Sequence, residues 1–145
     1  MPAGVSAKAL YPGRTVVSFA GDGCFLMTGQ ELSTAVQYRL KLIIVVVNNN
    51  MYGTIRMHQE REYPARVYGT SLVNPDFAAF AVAFGAHGEV VEATEQFAPA
   101  FERALNAGKP ALIEIRIDPE AITPSATLQS IRSAAQAKPS ASQSE

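Results

Sequence analysis

The sequence has little of what marks several common classes of protein. Among its 145 residues there is one cysteine and no tryptophan, and the 12 lysine and arginine residues nearly balance the 13 aspartate and glutamate residues. A single cysteine excludes an intramolecular disulfide and a Cys-x-x-Cys cluster. The balanced charge argues against nucleic acid or an anionic membrane as the main partner. No apolar run reaches the roughly 18 residues of a membrane helix and no signal peptide opens the chain, so we expect a cytoplasmic protein.

Two common phosphate-binding motifs are also incomplete. Gly21 and Gly23 could begin a Gly-x-Gly-x-x-Gly dinucleotide motif, but Leu26 stands where the third glycine belongs. The pair Gly108-Lys109 is followed by proline, whereas a P-loop needs serine or threonine there. Neither a dinucleotide-binding nor a P-loop fold fits the sequence.

What the sequence does contain is a strand–helix–strand pattern. Residues 14–20 and 41–47 are rich in β-branched apolar side chains, and residues 30–38 between them have helical spacing without glycine or proline. The second run does not alternate with polar residues, which is typical of a strand covered on both faces of a parallel sheet. The pattern predicts a βαβ unit, whose right-handed crossover places the carboxyl ends of both strands at one edge of the sheet.

The rest of the chain continues this alternation. We expect a helix to start near Thr28, further helices over residues 52–60, 77–84 and 94–107, and strands over residues 87–91 and 111–117. Charged residues alternate in the last of these strands, which indicates a position nearer an edge of the sheet. The tail, residues 125–145, is rich in Ser, Ala and Gln, and we expect a helical turn over 128–131 followed by disorder.

Two oxygen-bearing side chains stand at the predicted strand ends. Asp22 lies between two glycines after the first strand, and Asn49 lies in an asparagine-rich turn after the second. Carboxylate and amide oxygens suit Mg²⁺, which takes one or two protein ligands and completes its shell with phosphate and water. Either element alone is as easily explained as a turn or a loop. Together, at matching strand ends, they favour a site for a metal-bridged phosphate.

The same residues carry a resemblance to a known family. The Gly21-Asp22-Gly23 turn, the spacer and the Asn48-Asn49 pair resemble the thiamine diphosphate signature, and residues 21–37 and 48–56 are similar to the acetolactate synthase-like branch. That branch includes acetohydroxyacid synthases, pyruvate oxidases, benzoylformate decarboxylase and related carboligases. The resemblance covers about residues 2–124, the diphosphate-binding domain of a typical member. It implies an α/β fold, a three-layer α/β/α sandwich with a mainly parallel sheet, over residues 1–124.

Carried over by position, the resemblance implies roles for three groups of residues. The implied Mg²⁺ ligands are the side chains of Asp22 and Asn49 and the backbone carbonyl of Met51. The positions that hold the cofactor's diphosphate are Gly21, Gly23, Cys24, Tyr52 and Gly53, beside those ligands. The positions implied to face the substrate pocket are Thr54, Ile55 and His58. From the residues alone, the alternatives are an exposed or core-rim position for His58 and simple packing for Cys24.

The resemblance also implies partners that this sequence does not contain. Family members bind the cofactor against a pyrimidine-binding domain, in cis or on a partner chain, whose glutamate promotes formation of the reactive ylide. No catalytic residue is therefore expected on this chain, and we expect it to be inactive alone. The domain would serve a 2-keto acid decarboxylase or carboligase that is a homo-oligomer. Alternatives are the small subunit of a two-chain enzyme and a non-catalytic phosphate- or metal-binding module.

Overall fold

The computed structural model describes residues 1–137, and these fall into two compact units. The first unit consists of Met1–Asn50 and Val73–Ile117, and the second of Met51–Leu72 and the chain from Asp118 onward. The expected disorder at the carboxyl terminus falls partly on residues 138–145, which lie outside the described residues. The expected helical turn at residues 128–131 is part of a longer helix.

The first unit is built from four strands and the helices between them. Its strands are β1 (Val17–Gly21), β2 (Ile43–Asn48), β3 (His87–Val91) and β4 (Ala111–Arg116). Its helices are α1 (Pro2–Leu10), α2 (Asp22–Thr28), α3 (Leu32–Gln37), α5 (Phe77–Ala83) and α6 (Thr94–Asn106). The second unit contains α4 (Gly53–Glu62), the short strands β5 (Ala121–Thr123) and β6 (Ala126–Thr127), and α7 (Leu128–Gln136).

The four strands form one parallel sheet in the order β1-β2-β4-β3. Their registers coincide, because Val17 pairs with Ile43, Ile43 with Ala111, and Ala111 with His87. All four strands therefore reach the same edge together. The predicted βαβ unit is confirmed, and with it the placement of the carboxyl ends of β1 and β2 side by side.

Alternate residues of the central strands pack into two separate cores, one on each face of the sheet. Ile44, Val46 and Leu112 face a core completed by α1, α2, α3 and α5, whose buried members include Val5, Phe25, Leu32 and Phe77. Ile43, Val45 and Ile113 face the other core, which α6 closes with Ala100 and Ala104. Since strand side chains alternate between faces, this is the pattern of a sheet covered on both sides. The predicted α/β/α sandwich is confirmed.

The expected start of the first crossover helix near Thr28 is wrong. The helix α2 begins at Asp22, directly after β1, and a 3₁₀ turn at Gly29–Glu31 separates it from α3. Gly29 lies at this break, and a Cβ atom there would lie 2.8 Å from the ring of Phe25. Glycine at this position lets the buried ring lie against the backbone.

The expectation that the last strand lies nearer an edge is also wrong. This strand, β4, lies between β2 and β3. The alternating charge does not reflect an edge position, since the side chain of Glu114 is only 1% exposed. A buried carboxylate is tolerated where hydrogen-bond donors surround it, and two of the three donors here, Asn48 and Phe77, come from distant parts of the chain.

In the second unit, a buried glutamate of α4 is paired with arginines of α4 and α7. Glu60 on α4 is 0% exposed, and Arg132 on α7 donates to both of its carboxylate oxygens at 2.6 and 2.8 Å. Arg56 and the backbone N–H of Ala65 also donate to it, at 2.9 and 3.0 Å. We call Glu60, Arg56 and Arg132 the arginine clamp. The hydrogen bond from Arg132, supported by those from Ala65 and Arg56, lowers the pKa of Glu60 to about 2.

No helix among residues 1–137 combines the length and the apolar character needed to cross a membrane.

Candidate functional site at the carboxyl edge of the sheet

The strand registers place two polar residues at the same height on the edge of the sheet. Gly21 ends β1 and pairs with Val47 of β2. The residues that follow this pair in the sequence are Asp22 and Asn48. Asp22 opens α2 and is 2% exposed, while Asn48 ends β2 and is 5% exposed. Both side chains are thus buried polar groups, which need hydrogen-bond partners.

The carboxylate of Asp22 is fixed by one donor on each oxygen. Its Oδ1 accepts from the backbone N–H of Gly23 at 2.8 Å, and its Oδ2 accepts from the amide Nδ2 of Asn74 at 2.7 Å. Each carboxylate oxygen can accept more than one hydrogen bond. The two donors therefore set the plane of the carboxylate and leave each oxygen with further capacity to bind a ligand.

Asn74 connects Asp22 to the end of β2. Its Nδ2 lies 2.8 Å from Oδ1 of Asn48 and 3.4 Å from Oδ1 of Asn50, in addition to its bond with Asp22. The side chain of Asn48 also accepts from the backbone N–H of Asn50 at 3.0 Å. One amide nitrogen is thus surrounded by three oxygens, one of which carries negative charge.

Glu114 closes the far side of this arrangement. It accepts from the amide of Asn48 at 2.8 Å, from the backbone N–H of Phe77 at 3.2 Å and from Arg116 at 3.0 Å. The hydrogen bonds of Arg116 to Glu114 and then to Glu92 raise the pKa of Arg116. We call Asp22, Asn74, Asn48 and Glu114 the amide network. It links the carboxyl ends of β1, β2 and β4 to the start of α5.

One atom of the amide network has no partner. Oδ1 of Asn74 is buried and accepts no hydrogen bond from any of the described residues. Turning the amide over would not help, because it would bring this oxygen within 2.7 Å of the Asp22 carboxylate. A buried acceptor without a donor costs about 1–3 kcal/mol, so a functional site that later supplies a donor is a natural place to find one.

Most of the predicted site residues of the first unit lie close to this network along the chain. Gly23 is buried, Gly21 is exposed, and Asn49 follows β2 and is half-buried. Cys24 is exposed, so the alternative that it is a packed core thiol is wrong. Sequence reasoning missed Asn74 and Glu114 altogether and took Asn48 only as part of a turn. A polar residue inside an apolar strand was the available signal for Glu114, while no local signal marked Asn74.

The other predicted site residues belong to the second unit. Met51 forms an isolated bridge with Ser71, and its carbonyl accepts from the N–H of Gly53 at 2.9 Å. Tyr52 donates its N–H to the carbonyl of Thr70 at 2.8 Å, and Gly53 begins α4. The three residues assigned to the substrate pocket, all on α4 and all exposed, are Thr54, Ile55 and His58.

The donor set of the amide network suits a hard cation in the presence of phosphate. No group of three or more His, Cys, Asp or Glu side chains that could hold a metal occurs within residues 1–137. One fixed carboxylate with neighbouring amide oxygens fits Mg²⁺, which binds through one or two carboxylates together with substrate phosphates and water.

Comparison with known proteins identifies the family. The family model described as thiamine pyrophosphate enzyme, C-terminal TPP binding domain, matches residues 1–115. The match covers most of the chain, and the chain belongs to this family. It is a thiamine pyrophosphate-binding domain of the acetolactate synthase-like kind.

The individual relatives agree with this assignment. The acetolactate synthase isozyme 2 large subunit of Escherichia coli (strain K12) is 39% identical over 119 residues, which are 81% of this chain and 22% of that protein. The acetolactate synthase of Bacillus subtilis (strain 168) is 33% identical over 118 residues, 81% of this chain and 20% of that protein. This chain therefore spans about a fifth of the length of these relatives.

A solved structure supports the fold as well. The thiamine diphosphate-dependent 4-hydroxybenzoylformate decarboxylase of Rhodococcus jostii RHA1 superposes with a TM-score of 0.76 at 33% sequence identity. The superposition covers 81% of this chain and 22% of that one. The resemblance found in the sequence is confirmed at the level of family and fold.

Proposed function

We propose that this chain anchors the diphosphate of thiamine diphosphate through Mg²⁺ in a 2-keto acid decarboxylase or carboligase. The observation that carries the proposal is the buried carboxylate of Asp22, held by two donors at the carboxyl edge of a parallel sheet. In open α/β sheets this edge is where ligands bind. A carboxylate in this position has no counter-charge within hydrogen-bond distance in the amide network, and a cation would supply one.

Within the first unit, the proposed cation ligands are the side chains of Asp22 and Asn49. The backbone around Gly21, Gly23 and Cys24 is proposed to lie against the diphosphate, where a glycine leaves room for close approach. Support comes from Gly21, at which an added Cβ would meet no atom within 4 Å. The roles of Met51, Tyr52 and Gly53, and of Thr54, Ile55 and His58, remain predictions that rest on the family resemblance.

The groups that this chain provides indicate which part of the reaction it serves. When bound, thiamine diphosphate supplies the stabilisation of a carbanion that 2-keto acid chemistry needs. This chain provides a preorganised carboxylate and amides, which bind and orient. We propose that the group that activates the cofactor, and the pocket for its pyrimidine ring, come from a pyrimidine-binding domain in cis or on a partner chain.

Replacement of Asp22 tests the anchoring role. In the complete enzyme, Asp22→Ala should weaken binding of thiamine diphosphate with Mg²⁺ by about tenfold or more, which corresponds to at least about 1.4 kcal/mol. Titration calorimetry measures this affinity. Asp118→Ala, at an exposed aspartate of the second unit, is the matched control and should bind as the parent does. Unchanged affinity in Asp22→Ala would rule out the assignment.

The chain by itself should show no turnover. The proposed loss of acid–base help and of correct positioning removes several kcal/mol of transition-state stabilisation. Release of carbon dioxide from pyruvate, in the presence of Mg²⁺ and thiamine diphosphate, is the assay. Release above a control without protein, and abolished by Asp22→Ala, would show that the chain is active alone and that the proposal of a separate pyrimidine-binding domain is wrong.

We further propose that the chain associates with itself. Phe19 on the edge strand β1 is 68% exposed, and Leu10 at the end of α1 is 74% exposed. Large apolar side chains exposed on a soluble protein are candidate contacts with a partner, and a symmetric dimer is the commonest oligomer that would bury them. Sedimentation equilibrium over a wide concentration range should show a dimer that dissociates on dilution. A monomer at every concentration would refute it.

A further inference from the structure

Asn74 lies before a helix, yet its side-chain amide bonds to residues at the ends of two strands. The helix is α5, and Asn74 lies outside both strands that carry the conspicuous polar residues. Its bond to Oδ2 of Asp22, at 2.7 Å, is the shorter of the two that fix that carboxylate. Without it, Asp22 would keep only the donor from its own neighbour, Gly23, and its carboxylate could rotate.

Asn74 also sets the position of the second strand end. Its amide reaches Oδ1 of Asn48 at 2.8 Å, and Asn48 is held from the other side by Glu114 at 2.8 Å. The same amide thus ties the start of α2 to the end of β2. Groups that orient metal ligands in this way raise metal affinity because the ligands need not be ordered when the ion binds.

A second, independent observation points to a ligand at this place. Oδ1 of Asn74 is buried and has no donor among the described residues. Magnesium retains several of its waters when it binds to protein, and the hydrogens of such waters are donors of the kind that this atom lacks. Asn74 is therefore a donor towards the protein and an unused acceptor at the same site.

We propose that Asn74 is a positioning residue for the cation, acting through Asp22. The proposal rests on the proposed function, since it takes Asp22 as a cation ligand. Asn74 would touch neither the substrate nor the reacting atoms. Its effect would be to hold the Asp22 carboxylate in the orientation that binds the ion.

A double-mutant cycle in the complete enzyme tests this directly. The probe is Mn²⁺ in the presence of thiamine diphosphate, and the signal of free Mn²⁺ in electron paramagnetic resonance gives its affinity. Asn74→Leu, which keeps the size of the side chain but removes both polar atoms, should weaken Mn²⁺ binding about tenfold. In an Asp22→Asn background the same change should have less than about a twofold effect, because the residue through which Asn74 acts is already altered.

Control variants separate the possible outcomes. Asn106→Leu, at an asparagine that bonds only within α6, should leave Mn²⁺ affinity unchanged. Circular dichroism shows whether each variant folds, and Asn74→Ala replaces Asn74→Leu if leucine is not accommodated. A purely structural role for Asn74 would give the same loss in both backgrounds, and that result would overturn the inference.

The remaining results distinguish this inference from the proposed function. If Asp22→Asn weakens Mn²⁺ binding and Asn74→Leu does not, only the role of Asn74 is wrong. If Asp22→Asn binds as tightly as the parent, or the complete parent enzyme takes up no Mn²⁺ with thiamine diphosphate, the proposed function fails and the role of Asn74 with it. A tenfold loss that disappears in the Asp22→Asn background supports both.

Discussion

Two buried glutamates, one in each unit, are held by different kinds of donor. Glu60 of the arginine clamp accepts from two arginines and one backbone N–H. Glu114 of the amide network accepts from an asparagine amide, a backbone N–H and one arginine. Both carboxylates are essentially inaccessible to water, at 0% and 1% exposed. The two glutamates differ in the further hydrogen bonds that their partners make.

The arginine clamp has no buried polar atom without a partner among the described residues, whereas the amide network has one. Around Glu60 the positive charges outnumber the negative one. From Glu114 the hydrogen bonds continue through Asn48 and Asn74 to Asp22, where an unused acceptor remains. The comparison suggests that a saturated cluster stabilises the fold, while an unsaturated one at the carboxyl edge of the sheet is kept for a ligand.

The largest effect is expected when the amide network is broken at Glu114. All three groups that contact the Glu114 carboxylate are hydrogen-bond donors. In Glu114→Gln, the new amide nitrogen is also a donor, so one donor would face another. Asn48 and Phe77 are buried and cannot turn to water instead. We expect a loss of about 3 kcal/mol in the free energy of unfolding, together with weaker binding of thiamine diphosphate. Urea denaturation and calorimetry measure the two, and a stability loss with unchanged binding would separate Glu114 from the site.

The matched change in the arginine clamp should cost less and act on stability alone. Arg132 and Arg56 keep side-chain exposures of 29% and 16%, so water can solvate them after Glu60→Gln. We expect a loss of about 2 kcal/mol, below the 3–5 kcal/mol of a fully buried pair. Binding of Mn²⁺ with thiamine diphosphate should change by less than about twofold. Equal losses of affinity in Glu60→Gln and Glu114→Gln would remove the distinction between the two clusters.

A smaller effect is expected in the dependence of stability on pH. The arginine and backbone donors hold the pKa of Glu60 at about 2, below its ordinary value of 4.5. Its charge therefore stabilises the fold above pH 4.5, and that contribution is lost as the pH falls through 2. Melting temperatures of the parent should drop more steeply over this window than those of Glu60→Gln. Parallel curves for the two proteins would show that Glu60 is not responsible.

The sequence was informative where structure is decided locally. The βαβ unit, strand β3 at His87–Val91 and the end of α5 before Gly85 were predicted from short-range patterns. Gly85 has a φ of +88°, which glycine adopts readily and other residues rarely do. An acidic residue in the first turn also favours a helix start, so Asp22 itself carried the signal for α2 that was overlooked.

The parts that could not be predicted depend on partners far away in the chain. Glu114 lies 66 residues from Asn48, and Asn74 lies 52 residues from Asp22. A glutamate between apolar residues is therefore ambiguous until its donors are located, and alternation alone indicates a strand nearer an edge of the sheet. For the candidate site, the sequence indicated Asp22 and the asparagine turn. The amide that joins them has no local pattern to reveal it.

The central claim is that the amide network, and not the arginine clamp, takes part in binding the cofactor. The most direct measurement is the ¹H–¹⁵N NMR spectrum of the full chain, recorded before and after addition of Mg²⁺ and thiamine diphosphate. We expect the side-chain amide signals of Asn74 and Asn48 to shift, while the Nε–H signal of Arg132 stays in place. Unmoved asparagine signals alongside a shifted Arg132 signal would contradict it.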